Sequence, residues 1–156
     1  MIRVEIPNYK TFELEYAVFD YNGTIATDGV IDDGVAERLE ALSKKLKIYI
    51  VTLDTFGTVK QNCAHLPVEV KVVPKETGGL GKKVFVNELG AKKTVCIGNG
   101  NNDVHMFSVA ELSLIVLGRE GMSVESLKEA DVVFKDSLDM LDFLLSEKRM
   151  IATLRK

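Results

Sequence analysis

The pattern that most constrains this chain is a regular alternation of short apolar runs with segments of helical periodicity. Lys47–Thr52, Val68–Val73, Thr94–Ile97, Leu114–Leu117 and Val132–Phe134 read as strands. Asp33–Leu46, Phe56–Ala64, Lys82–Leu89, Asn102–Ala110, Val124–Ala130 and Leu138–Leu145 read as helices. In the first helix Val35, Leu39, Leu42 and Leu46 share one face, with charges opposite, and Gly90 closes the third. Alternating units of this kind call for a mostly parallel sheet with helices on both faces. Before them, Arg3–Ile6 and Phe12–Phe19 are extended, with Pro7-Asn8 turning between them. This predicts a short N-terminal antiparallel β-hairpin leading into the first parallel strand. The expected fold is therefore α/β with three layers, in one domain spanning residues 1–156. It contains no internal repeat and no low-complexity linker.

Composition removes several classes of function. Apolar residues make up 46% and charged residues 28%, as in ordinary globular proteins, and the net charge of -3 gives no electrostatic reason to expect nucleic acid. An anionic substrate would then have to be attracted locally, by a metal ion, a lysine or backbone N–H groups. Cys63 and Cys96 form neither a disulfide framework nor a zinc site. The segment Met1–Pro7 is unlike a signal peptide, no apolar run has the length of a membrane span, and the expected location is cytoplasmic.

The chemistry is concentrated where apolar runs end. Ala17-Val18-Phe19 stops on Asp20, and Tyr21-Asn22-Gly23-Thr24 follows. Ligands collect at the carboxyl ends of strands in open α/β sheets. A carboxylate delivered there can act as a nucleophile in phosphoryl transfer; the plainer reading is a strand end followed by an Asn-Gly turn. The run Ile48–Val51 ends on Thr52-Leu53-Asp54, where a hydroxyl could meet a phosphoryl oxygen and Asp54 could cap a helix. Lys82 and Lys83 open a helix, and either ammonium could neutralise a phosphoryl group. The preceding Gly78-Gly79-Leu80-Gly81 is no P-loop, because Glu76 and Lys83 occupy positions that require Gly and Ser/Thr. Finally, Val95-Cys96-Ile97 runs into Gly98-Asn99-Gly100-Asn101-Asn102-Asp103, an oxygen-rich loop suited to Mg²⁺ or, more plainly, a capped helix start. His65 and His105 have no metal-ligand spacing to a partner.

Taken in order, these elements resemble the haloacid dehalogenase (HAD) superfamily. Its pattern is a hydrophobic strand with D-x-D-G-T, a strand ending in Ser/Thr, a lysine, and G-D-x-x-x-D. The counterparts here are Asp20–Thr24, Thr52, Lys82 and Gly98–Asp103. Within the superfamily the chain looks most like the soluble relatives of the P-type ATPase phosphorylation domain, through Thr52-Leu53-Asp54, the Gly98–Asp103 loop, Val109–Val116 and Glu129–Val133. The resemblance implies a HAD-like Rossmannoid fold and Mg²⁺-dependent phosphatase chemistry. It makes Asp20 the nucleophile, and Gly23, Thr52, Leu53 and Lys82 the phosphate-binding residues. It makes Asp20, Asn22, Asn99 and Asp103 the metal site, Asn22 through its backbone carbonyl and Asp103 directly or through water. Lys82 is preferred over Lys83 because Phe85, Val86 and Leu89 then follow it as in the family.

Two departures from that pattern bear on activity. Phosphatases of the superfamily carry an acid–base Asp where this chain has Asn22, and a ligating Asp where it has Asn99. An amide does not titrate usefully, so turnover is expected to be slow or limited by the leaving group, unless a flap residue such as Asp28 supplies the proton. Neutral Asn99 should weaken Mg²⁺ binding. A catalytically weak or inactive phosphate-binding or regulatory module of the same fold is the alternative. A receiver-like phosphoacceptor domain fits less well, because the metal loop comes late in the chain. The intervals between the motifs are too short for a large cap, apart from a flap within Tyr21–Asp33. A capless site admits a small phosphorylated substrate or an exposed phosphate on a larger molecule. Otherwise a second copy of the chain closes it, as resemblance to KDO 8-phosphate phosphatases implies.

Overall fold

The computed structural model describes residues 1–54 and 57–156. Its centre is a six-stranded, all-parallel sheet. The strands are β3 (Tyr16–Phe19), β6 (Lys47–Thr52), β7 (Glu69–Val72), β8 (Thr94–Gly98), β9 (Leu112–Val116) and β10 (Val132–Phe134), in the order β10-β9-β8-β3-β6-β7. The inner strands are buried along almost their whole length, as expected when helices cover both faces. Successive side chains point to opposite faces. Ala17 and Phe19 accordingly join one core, with Leu39, Leu42, Ile48, Leu141 and Leu144. Val18 joins the other, with Tyr49, Val51, Phe85, Val86, Cys96 and Met106.

The first face carries α1 (Val35–Ser43) and α6 (Ser137–Leu145), joined by a two-pronged Arg38–Asp142 pair at 2.7 and 3.3 Å. The second carries α3 (Gly79–Leu89) and α4 (Val104–Phe107), with α5 (Val124–Glu129) beside them. A short α2 (Thr58–Asn62) connects β6 to β7. Phe56, the expected start of that helix, lies outside the described residues. Among the described residues no helix is long and apolar enough to cross a membrane.

The expected hairpin is present, with one change. The extended run divides at Glu15 into β2 (Thr11–Leu14), paired antiparallel with β1 (Ile2–Glu5), and β3, which enters the parallel sheet. Glu15 makes the transition by donating its N–H to Lys93 O and accepting from Lys47 N at 2.8 and 3.0 Å, while Lys93 pairs with its carboxylate. Three further elements depart from expectation. The third helix starts at Gly79 rather than Lys82. The Gly98–Asp103 loop closes with a 3-10 turn over Asn101–Asp103. The C-terminal segment forms α7 (Glu147–Leu154), whose Met150 is buried.

Only two insertions separate β3 from β6: a flap hairpin, β4 (Ala26–Thr27) and β5 (Val30–Ile31), and α1. No cap domain stands between β6 and β8 among the described residues, so the fold is capless.

Candidate active site

Strand order decides where ligands can approach. β3 lies between β6 and β8, and the chain leaves it in one direction for β6 and later returns on the other side as β8. The crevice beyond the carboxyl ends of these strands is the topological switch point of an open parallel sheet. Asp20, one residue past β3, stands at that point, with its backbone N–H held by Ile97 O at 2.8 Å.

A cleft of about 540 Å³ opens there. It is lined by Asp20 and Asn22 after β3, Thr52, Leu53 and Asp54 after β6, and Asn99 to Asn102 after β8. A larger cleft of about 650 Å³ lies along the flap toward β9 and β10, lined by Thr24, Asp28, Arg119 and Lys135 among others. It does not reach Asp20, which lines the smaller cleft. Asp28, the flap residue considered as a proton donor, belongs to the larger cleft.

The floor of the site is a buried triad. Lys82 on α3 has no exposed surface, and its Nζ donates to Asp20 Oδ1 and to Asp103 Oδ1, both at 2.7 Å. Asp103 is equally buried; its Oδ2 accepts the N–H groups of Asn99 and Gly100 at 2.9 and 3.0 Å. The Asp20 side chain retains 14% exposure. One ammonium facing two carboxylates leaves the triad with excess negative charge. Burial, then the nearby Asp103, outweigh Lys82 and push the Asp20 carboxyl up to about 7. Burial opposes the Lys82 charge, but the two carboxylates prevail and its pKa is raised. Lys83, one position on, is half-buried and takes no part in these bonds.

Glycines permit this packing. A Cβ at Gly98 would lie 2.3 Å from Asp103 Oδ2, so the β8 end must be glycine for Asp103 to fold back under it. Gly23 has φ +78, and a Cβ there would meet Asn99 Nδ2 at 2.2 Å. The Asn99 amide is held on both sides: Nδ2 donates to Gly121 O at 3.0 Å, and Oδ1 accepts from Thr24 Oγ1 at 3.4 Å.

Asn22 has a structural task that the sequence did not reveal. Its Oδ1 accepts the N–H of Gly29 at 2.9 Å, and Gly29 O accepts from Tyr21 Oη and Asn62 Nδ2, each at 3.0 Å. Gly29 and Asp28 form the two-residue turn of the flap hairpin, both with positive φ. Three side chains therefore pin the flap turn, one of them from α2. An Asp-Gly pair is a turn signal, but nothing in the sequence says which side chains will hold the turn down.

A hard cation fits this donor set. Asp20 offers a carboxylate and Asn22 and Asn99 neutral oxygens around one cleft, and Mg²⁺ commonly takes one or two carboxylates and keeps several waters. The excess negative charge would repel a phosphate dianion unless a cation accompanied it. Asp103 does not line the cleft. Its oxygens are taken by Lys82 and the loop N–H groups, so it supports Asn99 from behind rather than presenting a free carboxylate. Among the described residues no cluster of three or more His, Cys, Asp or Glu side chains forms a metal site.

A parallel sheet in this order, with an aspartate after its central strand and a buried lysine bridging it to a loop aspartate, defines the haloacid dehalogenase fold. The chain has that fold, and it belongs to the same family as two proteins of Methanocaldococcus jannaschii. It is 45% identical over 64 residues to the uncharacterized protein MJ0073, covering 41% of this chain and 69% of that one. It is 55% identical over 38 residues to the uncharacterized protein MJ0072, covering 24% and 86%. No family model matches the chain. Among solved structures it resembles 3-deoxy-D-manno-octulosonate 8-phosphate phosphatase from Moraxella catarrhalis in complex with magnesium, phosphate and KDO. The TM-score is 0.71, with 13% identity over 92% of this chain and 94% of that one. The cobalt-bound phosphatase of the same kind from Haemophilus influenzae gives 0.71 and 12%, with the same coverage. At these identities the likeness establishes the fold.

Proposed function

We propose that this protein is a phosphohydrolase that works through an aspartyl-phosphate on Asp20 and requires Mg²⁺. The observation that carries this reading is the Asp20 carboxylate, half-sunk at the switch point with one oxygen fixed by buried Lys82. Asp20 Oδ1 is committed to Lys82, which leaves Oδ2 as the atom to attack phosphorus from the cleft. Thr52 and the backbone of Leu53 hold the phosphoryl oxygens on the β6 side; Gly23, expected beside them, lines the flap-side cleft and gives its N–H to Ala26 O. Asp20, the Asn22 carbonyl and Asn99 would hold the cation, with Asp103 bracing the loop. When bound there, Mg²⁺ would supply charge neutralisation for the phosphoryl group. Water then cleaves the aspartyl-phosphate and frees Asp20.

Asn22 donates no proton, and its oxygen is occupied by Gly29. From that position alone, departure of the leaving group is unassisted and turnover of alkyl phosphates is slow. The open, capless cleft suits a small phosphorylated substrate or a phosphate exposed on a larger molecule, with a second copy of the chain as one way to cover it. Neither nucleic acid nor a membrane is part of this reading, and the cytoplasm is the location it assumes.

The test is a panel of sugar, nucleotide, acyl and aryl phosphates, with and without Mg²⁺, on the wild type and Asp20→Asn. Mg²⁺-dependent release of phosphate that disappears in Asp20→Asn is the expected result. A folded wild type that binds phosphate but turns over no member of the panel would favour a phosphate-binding regulatory module.

A further inference from the structure

This inference rests on the phosphohydrolase reading. With the Asn22 oxygen committed to the flap, an alkyl group can leave as its alcohol only if another residue of the same cleft supplies a proton. Among the described residues that line the cleft, those that titrate are two carboxyls, Asp20 and Asp54. Asp20 is the nucleophile. Asp28 is excluded by position, because it sits in the flap turn and lines the other cleft.

Asp54 is also well placed. It is half-buried at the mouth of the β6 end. Its N–H donates to Thr52 Oγ1 at 3.0 Å, which ties it to the residue assigned to the phosphoryl group. Its Oδ2 accepts the N–H of Val59 at 3.0 Å, which fixes the carboxyl against α2. The β3–β6 register sets Phe19 beside Ile50, so the chain leaves the sheet next to Asp20 as it runs through Thr52 to Asp54. The bond to Val59 needs only an acceptor oxygen, which an asparagine would also supply. The proton is what only the carboxyl can add.

We propose that Asp54 is the acid–base residue of this site, serving from the β6 side as Asn22 cannot from the β3 side. In the first step Asp20 Oδ2 bonds to phosphorus, the phosphorus–oxygen bond to the leaving group breaks, and the Asp54 carboxyl gives its proton to the departing oxygen. In the second step Asp54, now a carboxylate, takes a proton from water. The water oxygen bonds to phosphorus, the bond from phosphorus to Asp20 breaks, and inorganic phosphate leaves.

The experiment compares one alkyl phosphate (a sugar phosphate) with one aryl phosphate in the presence of Mg²⁺. The proteins are the wild type, Asp54→Asn, Asp54→Ser and Asp20→Asn. Asp54→Asn keeps an acceptor oxygen for the Val59 N–H, so its melting temperature should stay near that of the wild type, and melting of Asp54→Ser measured alongside separates loss of that bond from loss of the proton. The kcat/KM of both Asp54 variants on the alkyl phosphate should fall by about 10²- to 10⁴-fold, the usual range for general acid–base help. On the aryl phosphate, which leaves readily without a proton, the loss should be less than about tenfold. Equal losses on both substrates, or no loss on the alkyl phosphate, overturn the proposal for Asp54 while an inactive Asp20→Asn keeps the parent reading. Undiminished activity in Asp20→Asn overturns both.

Discussion

The floor of the site and the flap above it are held by opposite means. On the floor, Lys82, Asp20 and Asp103 are charged, wholly or mostly buried, and bonded at 2.7 Å. The flap turn is held by neutral bonds of 2.9 to 3.0 Å converging on Gly29, beside exposed residues such as Val30. In a buried charged group, loss of one partner leaves an uncompensated charge. A neutral bond near the surface is worth only about 1 kcal/mol. The floor should therefore behave as a fixed electrostatic device that the fold cannot lose without damage, and the flap as a cover that opens locally.

The sharpest way to break this contrast is to remove the central charge. Lys82→Met leaves two carboxylates buried against each other and should cost about 3–5 kcal/mol of stability by chemical denaturation. Lys83→Met should stay within about 0.5 kcal/mol, as for substitutions away from such features. Similar losses in the two variants would erase the distinction between them.

Asp20→Asn comes next and should act in the opposite sense. It removes the excess negative charge while Lys82 keeps Asp103, so without Mg²⁺ the variant should be more stable by about 1–3 kcal/mol and inactive. The same carboxyl predicts a pH effect. Its pKa is raised from 3.8 to about 7, so between these values the folded state binds more protons than the unfolded state. This contribution to stability is complete below the lower value and is lost as pH rises through about 7. Denaturation of the Mg²⁺-free protein across this range should show stability declining with pH in the wild type, with that part of the slope absent in Asp20→Asn. Identical slopes would contradict the assignment.

Asn99→Asp lies where floor and flap meet. It should tighten Mg²⁺ binding by about tenfold in calorimetric titration, because a charged ligand replaces a neutral one. It also turns a donor to Gly121 O into a carboxylate facing a carbonyl, so the Mg²⁺-free variant should lose about 1–2 kcal/mol. Unchanged affinity in a folded variant would remove Asn99 from the cation site. The smallest effect belongs to the flap. Asn22→Ala should speed exchange of the Gly29 amide hydrogen about fivefold, as expected for one lost bond of about 1 kcal/mol, with little change in global melting. If global melting falls as far as in Lys82→Met, the flap belongs to the cooperative core and the contrast fails.

The same contrast explains what could be read from the sequence. Asp20 and Thr52 end apolar strand runs, Lys82 lies in a helix and Asp103 in the loop after a third strand, an order legible in the sequence, as was the parallel sheet in the alternation. Their partnerships depend on geometry. Asp103 was expected near the cation, directly or through water, but its bonds to Lys82 and two backbone N–H groups are visible only in the geometry. The flap strands are two residues long, too short for periodicity to register, and Asn22 and Asn62 meet at Gly29 only through tertiary contact. The division of Phe12–Phe19 at Glu15 was hidden for a similar reason. Both halves are extended, and only their partners differ.

The central claim is that Asp20 becomes covalently phosphorylated. Its most direct test is to quench the wild-type protein with acid during Mg²⁺-dependent turnover of an aryl phosphate, then locate any added phosphoryl group by tandem mass spectrometry. The account predicts one phosphoryl group on Asp20, absent from Asp20→Asn treated in the same way. Turnover with the phosphoryl group on a different residue, or an equal yield of adduct from Asp20→Asn, would contradict it.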